Sequence, residues 1–481
     1  MQFNNYYFIL YFLPIILILY FTLGKINDLV RKLILIVGSF IFYAYADFKL
    51  SLILVISLIL NYSFAKLCEK KQQKSFFLAP TVINICLLLV FKYTNFAISN
   101  INTLFNQSLQ LKTWALPLGI SFFTFSQISY ITAICKEELK TNLIDYLTYI
   151  LFFPKLIMGP LMEPDDFLGK LNDTSLHKIN WDNIAFGIKS FSFGLFKKAL
   201  LADTFAVAVN WGFSHTDKAT SIDWLLIMLF YTFEIYFDFS GYTDMAVGTS
   251  IMFNIELPMN FDSPYKAVSI RDFWKRWHIS LTKFWTKYVY IPLGGSKKGD
   301  FMTCVNMMVV FLVSGLWHGA NWTFILWGVL HGAFSIIERI TPDIPVNKIT
   351  KPLKTIWTFI IVNILWLLFR AESVSQWFSI CKTIVKLEEK TISSGLIKKF
   401  NLPEADLIFN NFPTITNWND TFRGLIMCIF ILASCIICFV PENNYRTLKK
   451  ISIISILFAA LAFIWGITCL GGESVFVYNN F

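Results

Sequence analysis

Charge is scarce in this sequence. Asp, Glu, Lys and Arg make up only 15% of 481 residues, where an ordinary soluble domain carries about 25%. Hydrophobic residues make up 56%, and several apolar runs exceed the about 18 residues that cross a bilayer. Length alone suggests about three soluble domains; the apolar runs overrule that count and exclude a soluble enzyme. No long block of like charge is present, so the net +10 (41 basic against 31 acidic residues) reads as basic cytoplasmic loops and not as a nucleic-acid tail. The nine cysteines read as singletons, apart from Cys435 and Cys438 inside an apolar run. That C-x-x-C is read as small apolar filler, not a redox or metal pair. The sequence also lacks metal-ligand spacing, a glycine-rich phosphate loop after a strand and a G-x-S-x-G elbow. Internal repeats and low-complexity segments are absent. The first apolar run follows no basic stretch and no small-residue cleavage site, so no cleavable signal peptide is expected.

What is abundant is aromatic: 50 Phe, 19 Tyr and 15 Trp. The expected fold is all-α, a single polytopic membrane domain over 1–481 with roughly 10–12 transmembrane helices and further re-entrant or amphipathic helices. Residues 1–112 form N-terminal helices, 113–340 a motif-bearing core and 341–481 C-terminal helices. Met1–Tyr7 carries no charged side chain, whereas Lys25, Arg31 and Lys32, then Lys66, Lys70, Lys71 and Lys74, mark the next two loops. The positive-inside rule places those loops in the cytoplasm and the N-terminus outside. Lys348, Lys351 and Lys354, and later Arg446, Lys449 and Lys450, also read as inside. Segment 372–422 and the tail from Gly471 then face outward. Pro154, Gly159, Pro160 and Pro164 interrupt what would otherwise be a simple span.

Segment 262–299 holds eight basic residues against two acids, Asp262 and Asp272. On a helix at about 100° per residue, Phe273, Trp277, Leu281, Phe284 and Tyr288 share one face. Arg271, Lys275, Arg276, Lys283 and Lys287 occupy the other. This predicts an amphipathic helix at the inner membrane surface or plugged into the domain, with His278 at the boundary of its faces near Arg271. It ends at the turn Pro292, Gly294 and Gly295.

Five histidines could carry proton chemistry near neutral pH. His177 and His215 lie in polar loops and read as solvated. His318 lies inside an apolar span, in Ser314-Gly315-Leu316-Trp317-His318-Gly319-Ala320-Asn321-Trp322. An ionisable residue there is costly and a functional candidate; a histidine satisfied by a neighbouring carbonyl is the alternative, and physics alone leaves both open. Ser314 and Trp322, four residues to either side, are expected on its face. Gly315 and Gly319 would let another backbone or a ligand approach. His331 would lie far around the same helix and reads as structural. Asp238 and Asp244 are about 240° apart around a helix and so are not a same-face pair; one could orient a histidine or arginine, the other cap a helix. Asp238, Ser314, Trp317, Asn321 and Trp322 are the expected polar lining around His318.

These residues resemble the membrane-bound O-acyltransferase superfamily, in its bacterial branch that acylates envelope polysaccharides. The resemblance covers nearly the whole chain and rests on LPLGISFFTFSQISY (116–130), FPKLIMGPL (153–161), YFDFSGYTDMAVG (236–248), FWKRWHISL (273–281), YIPLGG (290–295), SGLWHGANW (314–322) and LFRAES (368–373). Two departures stand out. Relatives often carry an acid soon after the S-Y of the first motif, where this chain has Ala133. Acetylating relatives often end in an F-I-Y-F-like tail, which Phe476-Val477-Tyr478-Asn479-Asn480-Phe481 matches only in part.

The resemblance implies a ring of transmembrane helices around a thin centre, pierced by a funnel from each side, in the bacterial inner membrane, and the charge rule above puts both termini on the periplasmic side. It implies His318 as the catalytic histidine and His278 as its companion. A cytoplasmic thioester, acetyl-CoA by expectation, would donate its acyl group to a hydroxyl reached from outside, with no bound cofactor. His318 would take the hydroxyl proton and pass it to the thiolate, while His278 steers or polarises the acyl carbonyl. Arg271, Lys275 and Arg276 would attract the donor's phosphates, with plain positive-inside charge as the alternative reading. The acceptor polymer is expected to be peptidoglycan, with alginate or another exopolysaccharide as the alternative. A periplasmic O-acetyltransferase would collect the acyl group, docking on 372–422 and the tail. The competing classes are a transporter using His318 and Asp238 as a polar relay, which lacks the repeat such folds show, and a non-catalytic scaffold.

Overall fold

The computed structural model describes residues 1–71, 77–137, 139–342, 344–402, 419–471 and 476. Lys74, segment 403–418 and the rest of the tail, all invoked above, lie outside the described residues. In chain order the helices are α1 (Leu13–Thr22), α2 (Asp28–Ala44), α3 (Phe48–Lys71), α4 (Leu78–Phe105), α5 (Ile120–Lys136), α6 (Leu143–Leu151), α7 (Phe153–Leu156), α8 (Pro164–Asn172), α9 (Trp181–Phe196), α10 (Asp203–Ser214), α11 (Ser221–Met252), α12 (Ile270–Arg276), α13 (Ile279–Trp285), α14 (Gly299–His318), α15 (Trp322–Ile340), α16 (Thr350–Arg370), α17 (Val374–Lys386), α18 (Ser394–Ile397), α19 (Asn419–Phe439) and α20 (Ile453–Thr468). No strand occurs among the described residues, so the all-α expectation holds. Seven described helices or helical stretches are long and apolar enough to cross a membrane: Phe8–Lys25, Phe48–Lys70, α4, α14, α15, α16 and Asp420–Phe439. The other apolar runs are built differently. Helix α5 is buried along 120–135, 144–162 breaks into α6 and α7 at Phe152, with Pro154 in the first turn of α7, and α11 carries Asp223, Glu234, Asp238 and Asp244.

The chain forms two compact units, and α11 contributes residues to both. The first holds 1–195, 242–259 and 448–480. Arg31 and Lys32, read above as loop charges, sit in the first two turns of α2 and are buried. Lys32 Nζ is 2.7 Å from both Asp28 and Asp145, and Arg31 pairs with Asp28. Local ion pairs draw these cations out of water, where spacing alone placed them in solvent. A polar ladder joins α3, α4 and α5. Ser57 and Asn61 donate to Gln127 Oε1 at 2.9 and 2.6 Å, and Asn84 donates to Asn61 at 2.6 Å. Such bonds hold helices together where lipid offers no hydrophobic drive. A disulfide joins Cys68 to Cys135 across α3 and α5, so these two are not the singletons that sequence spacing suggested. Phe476 of the tail is buried, its ring 5.1 Å from Tyr242, which in turn stacks near Phe3 at 4.9 Å.

Among the described residues, the second unit holds those of 196–241 and 260–447. Its centre is aromatic: Trp277, Trp327 and Trp366 are almost fully buried, with Trp366 4.9 Å from Trp277 and 5.9 Å from Trp327. Helices α14 and α15 pack as an antiparallel pair, not as the single span expected. The chain leaves the helix at extended Gly319, and Asn321 starts α15 by accepting the Thr323 N–H at 3.1 Å. The pair closes on Gly315 and Gly328: a Cβ on either would run into the carbonyl of Phe324 or Phe311 respectively.

Candidate functional site

The site grows from the loop 260–262 and the turn between α12 and α13. Sequence periodicity predicts one helix through 271–288. The structure breaks it at Trp277 and His278, where His278 adopts a left-handed φ of 45°. Asn260 explains the break. Its backbone carbonyl accepts the Ile279 N–H at 2.9 Å, and its Oδ1 accepts the Ser280 N–H at 3.2 Å and Ser280 Oγ at 2.8 Å. The same Oδ1 lies 3.1 Å from His278 Nδ1. Asp262 N–H donates to Arg276 O at 2.9 Å on the same seam. The strained turn is therefore over-determined by hydrogen bonds, the condition under which such backbone persists at functional sites.

His278 is 1% exposed, a correction to its expected place at the edge of a surface helix. Its ring lies 4.7 Å from Phe239 and 6.3 Å from Trp317. Burial pushes its pKa down to about 3, so the imidazole is neutral at pH 7. The face partition expected for this segment survives the break through residue 284 but not beyond it. Phe273, Trp277, Leu281 and Phe284 are buried and Arg271, Lys275 and Lys283 are exposed, whereas Lys287 and Tyr288 are both half-buried. Arg276 is half-buried and bonded to Asp272 at 2.9 Å, so only Arg271 and Lys275 of the three donor-binding candidates present exposed cations.

His318 is the last residue of α14 and 2% exposed. Its ring contacts Trp317 at 4.7 Å, Trp327 at 5.1 Å and Phe369 at 5.1 Å. Trp317 thus touches both imidazoles, bringing together the two histidines named from sequence. Ser314 and Trp317 are buried on α14. Asn321 caps α15 and donates to Glu372 O at 2.9 Å. Trp322 does not share His318's face: the break at Gly319 puts it on α15, where it is 57% exposed.

His331 also departs from expectation, since it stands on the opposite arm of the helix pair. It accepts Trp274 Nε1–H at its Nδ1 (3.2 Å) and packs against Trp327 at 4.6 Å. Trp327 lies against both His331 and His318.

Asp238 is buried against Lys198, 2.6 Å away, and Lys198 also pairs with Asp203 at 2.9 Å. A lysine is thus the partner, where an arginine or histidine was considered. Asp244 lies in the first unit, its carbonyl accepting Ser190 Oγ at 2.9 Å. Among the described residues no group of His, Cys, Asp and Glu could hold a metal.

Three site residues escape sequence reasoning. Asn260 has no motif of its own. Lys198 is signalled only as a charge inside the apolar run 184–212. Glu338 accepts the Ile270 and Arg271 N–H groups at 2.6 and 2.9 Å, capping α12 from α15, a contact that no local pattern encodes.

The membrane-bound O-acyltransferase family model matches residues 40–370, a stretch that contains both His278 and His318. The peptidoglycan O-acetyltransferase of Helicobacter pylori is 35% identical, over 100% of this chain and 97% of its own length. The probable alginate O-acetylase AlgI of Pseudomonas aeruginosa is 36% identical, over 78% of this chain and 73% of its own length. The teichoic acid D-alanyltransferase of Streptococcus thermophilus is 28% identical over 54% and 70%. With that match, its apolar helices and its buried histidines, the chain belongs to the membrane-bound O-acyltransferase family and is a multi-pass membrane O-acyltransferase.

Proposed function

We propose that this protein moves an acetyl group from a cytoplasmic thioester, acetyl-CoA, across the inner membrane for O-acetylation of peptidoglycan. The observation that carries the chemistry is the pair of buried histidines on one indole, Trp317. In the reaction an acceptor hydroxyl oxygen attacks the thioester carbonyl carbon, a C–O bond forms and the C–S bond breaks. His318 takes the hydroxyl proton and returns it to the departing thiolate, so no net proton is consumed. His278 positions the reacting groups from the other side of the indole. The aromatic wall of Trp317, Trp327 and Phe369 keeps water from hydrolysing the thioester. Arg271 and Lys275 attract the donor's phosphates.

Peptidoglycan is favoured over alginate because the relative named for it aligns across both chains almost end to end, whereas the alginate relative leaves part of each unmatched. The polymer is too large to enter the membrane, so a periplasmic O-acetyltransferase collects the acyl group, with 372–422 and the tail as its docking surface and both termini outside. Mass spectrometry of purified wall glycan from cells with and without the protein tests this. Loss of the acetyl mass increment on deletion is expected; unchanged glycan with acetyl lost from another envelope polymer overturns the choice of substrate.

A further inference from the structure

An amide oxygen can only accept hydrogen bonds, and this limits what His278 can do. The orientation of the Asn260 side chain is fixed by Ser280, whose backbone N–H and hydroxyl both meet Oδ1; a nitrogen there would face a donor with a donor. His278 Nδ1 lies 3.1 Å from that same oxygen. A neutral imidazole has one protonated nitrogen, and only a protonated Nδ1 can bond to Oδ1. The other nitrogen, Nε2, then carries the lone pair. Asn260 is itself 1% exposed, so water does not compete for this oxygen.

The geometry points to Asn260 as a positioning residue that holds His278 in the Nδ1–H tautomer and makes Nε2 a hydrogen-bond acceptor for the thiol formed as the donor's C–S bond breaks. This rests on the reading of His278 as part of the acyl-transfer site. It departs from a carbonyl-polarising role, because a neutral imidazole with its proton on Nδ1 has nothing to donate from Nε2. His278 instead orients the leaving group by accepting a hydrogen bond from its thiol, while His318 carries the transferred proton from the hydroxyl to the sulfur. The fixed φ of 45° at His278 serves the same end, since the ring and the Ser280 donors must converge on one atom.

The test uses full-length protein in detergent with its acetyl-accepting partner and ¹⁵N-labelled histidine. With five histidines in the chain, the His278→Gln difference spectrum assigns the resonances. The expected result is a protonated Nδ1 and an unprotonated Nε2 at His278 at neutral pH; a protonated Nε2 overturns the inference without any substitution at Asn260. Asn260→Leu should release the tautomer and lower kcat by about 10²-fold or more, the usual worth of a positioned proton-handling group, with KM for the thioester little changed. Asn260→Asp keeps an acceptor oxygen at the same place and should restore the Nδ1–H signature and most of kcat. If Asn260→Leu keeps wild-type kcat, or if Asn260→Asp restores the tautomer but not kcat, Asn260 is structural only and the inference fails. Full activity in His278→Gln overturns the role of His278 itself. That outcome is distinct, because the wild-type spectrum still reports which nitrogen holds the proton.

Discussion

His318 stands at a helix end among rings, which is where a base can be desolvated without being packed on every side by its own helix. Losing a positioned general base costs about 10² to 10⁴ in rate. His318→Gln keeps an amide but cannot take a proton, so acetyl transfer should fall by that range at equal membrane abundance; substantial transfer would end the general-base role. His331 behaves differently. Its Nδ1 accepts the Trp274 indole N–H inside a cage of rings. His331→Ala therefore leaves a cavity and an orphaned donor, each worth about 1 to 3 kcal/mol or more. Membrane abundance should drop while activity per molecule is retained, and quantitative blotting with normalised rates separates the two. Lys198 and Asp238 are each 1% exposed. Removing one member of a buried ion pair costs about 3 to 5 kcal/mol, so Lys198→Met should nearly abolish accumulation, where a solvated lysine would tolerate the change.

Two elements decide whether the histidines meet: the α12–α13 turn and the α14–α15 pair. Glu338 fixes the first by capping α12. Loss of a cap costs about 0.5 to 2 kcal/mol, so Glu338→Ala should raise amide exchange across 270–278 and lower kcat; unchanged exchange would mean the cap is dispensable. A pH effect belongs to the same element. Arg446 bonds Asp262 at 2.6 and 2.7 Å and holds its carboxyl below the usual carboxylate range. A depressed folded pKa gives stability that is present above the ordinary value of about 3.9 and lost as pH falls through the folded one. Because Arg446 is 57% exposed, the effect is small and screened by salt. Arg446→Gln should lower Tm slightly at pH 7, and the difference from wild type should vanish under acid. Much of this element was legible from sequence. The apolar runs, the buried face of 273–284 and both histidines follow from composition, period and ordered motifs. The break at His278 was not, because it depends on Asn260, distant in sequence and unmarked by turn chemistry. The break at Gly319 was hidden for a different reason. Hydropathy stays high through both arms of the pair, and the two helices are told apart by the extended Gly319, the Asn321 cap and the approach of Gly315 to Gly328.

At the scale of the whole molecule, the tail carries the proposed docking of a periplasmic partner. The sequence suggests docking by Phe476–Phe481 as one piece, but Phe476 is buried against Tyr242 within the first unit. Deleting from Phe476 would therefore remove a packed ring, and truncating a buried Phe costs about 3 to 5 kcal/mol; lost partner binding would then be confounded with lost stability. The cleaner cut removes 477–481 and leaves Phe476 in place. That variant should reach wild-type membrane abundance and bind the acyl thioester normally, yet recover less periplasmic O-acetyltransferase on co-purification. Phe476→Ala should instead lower abundance and Tm. The two variants must be compared at equal expression with the partner supplied in excess. If 477–481 can be deleted with co-purification unchanged, the tail is not the docking element, and the segment beginning with α17 becomes the surface to mutate next.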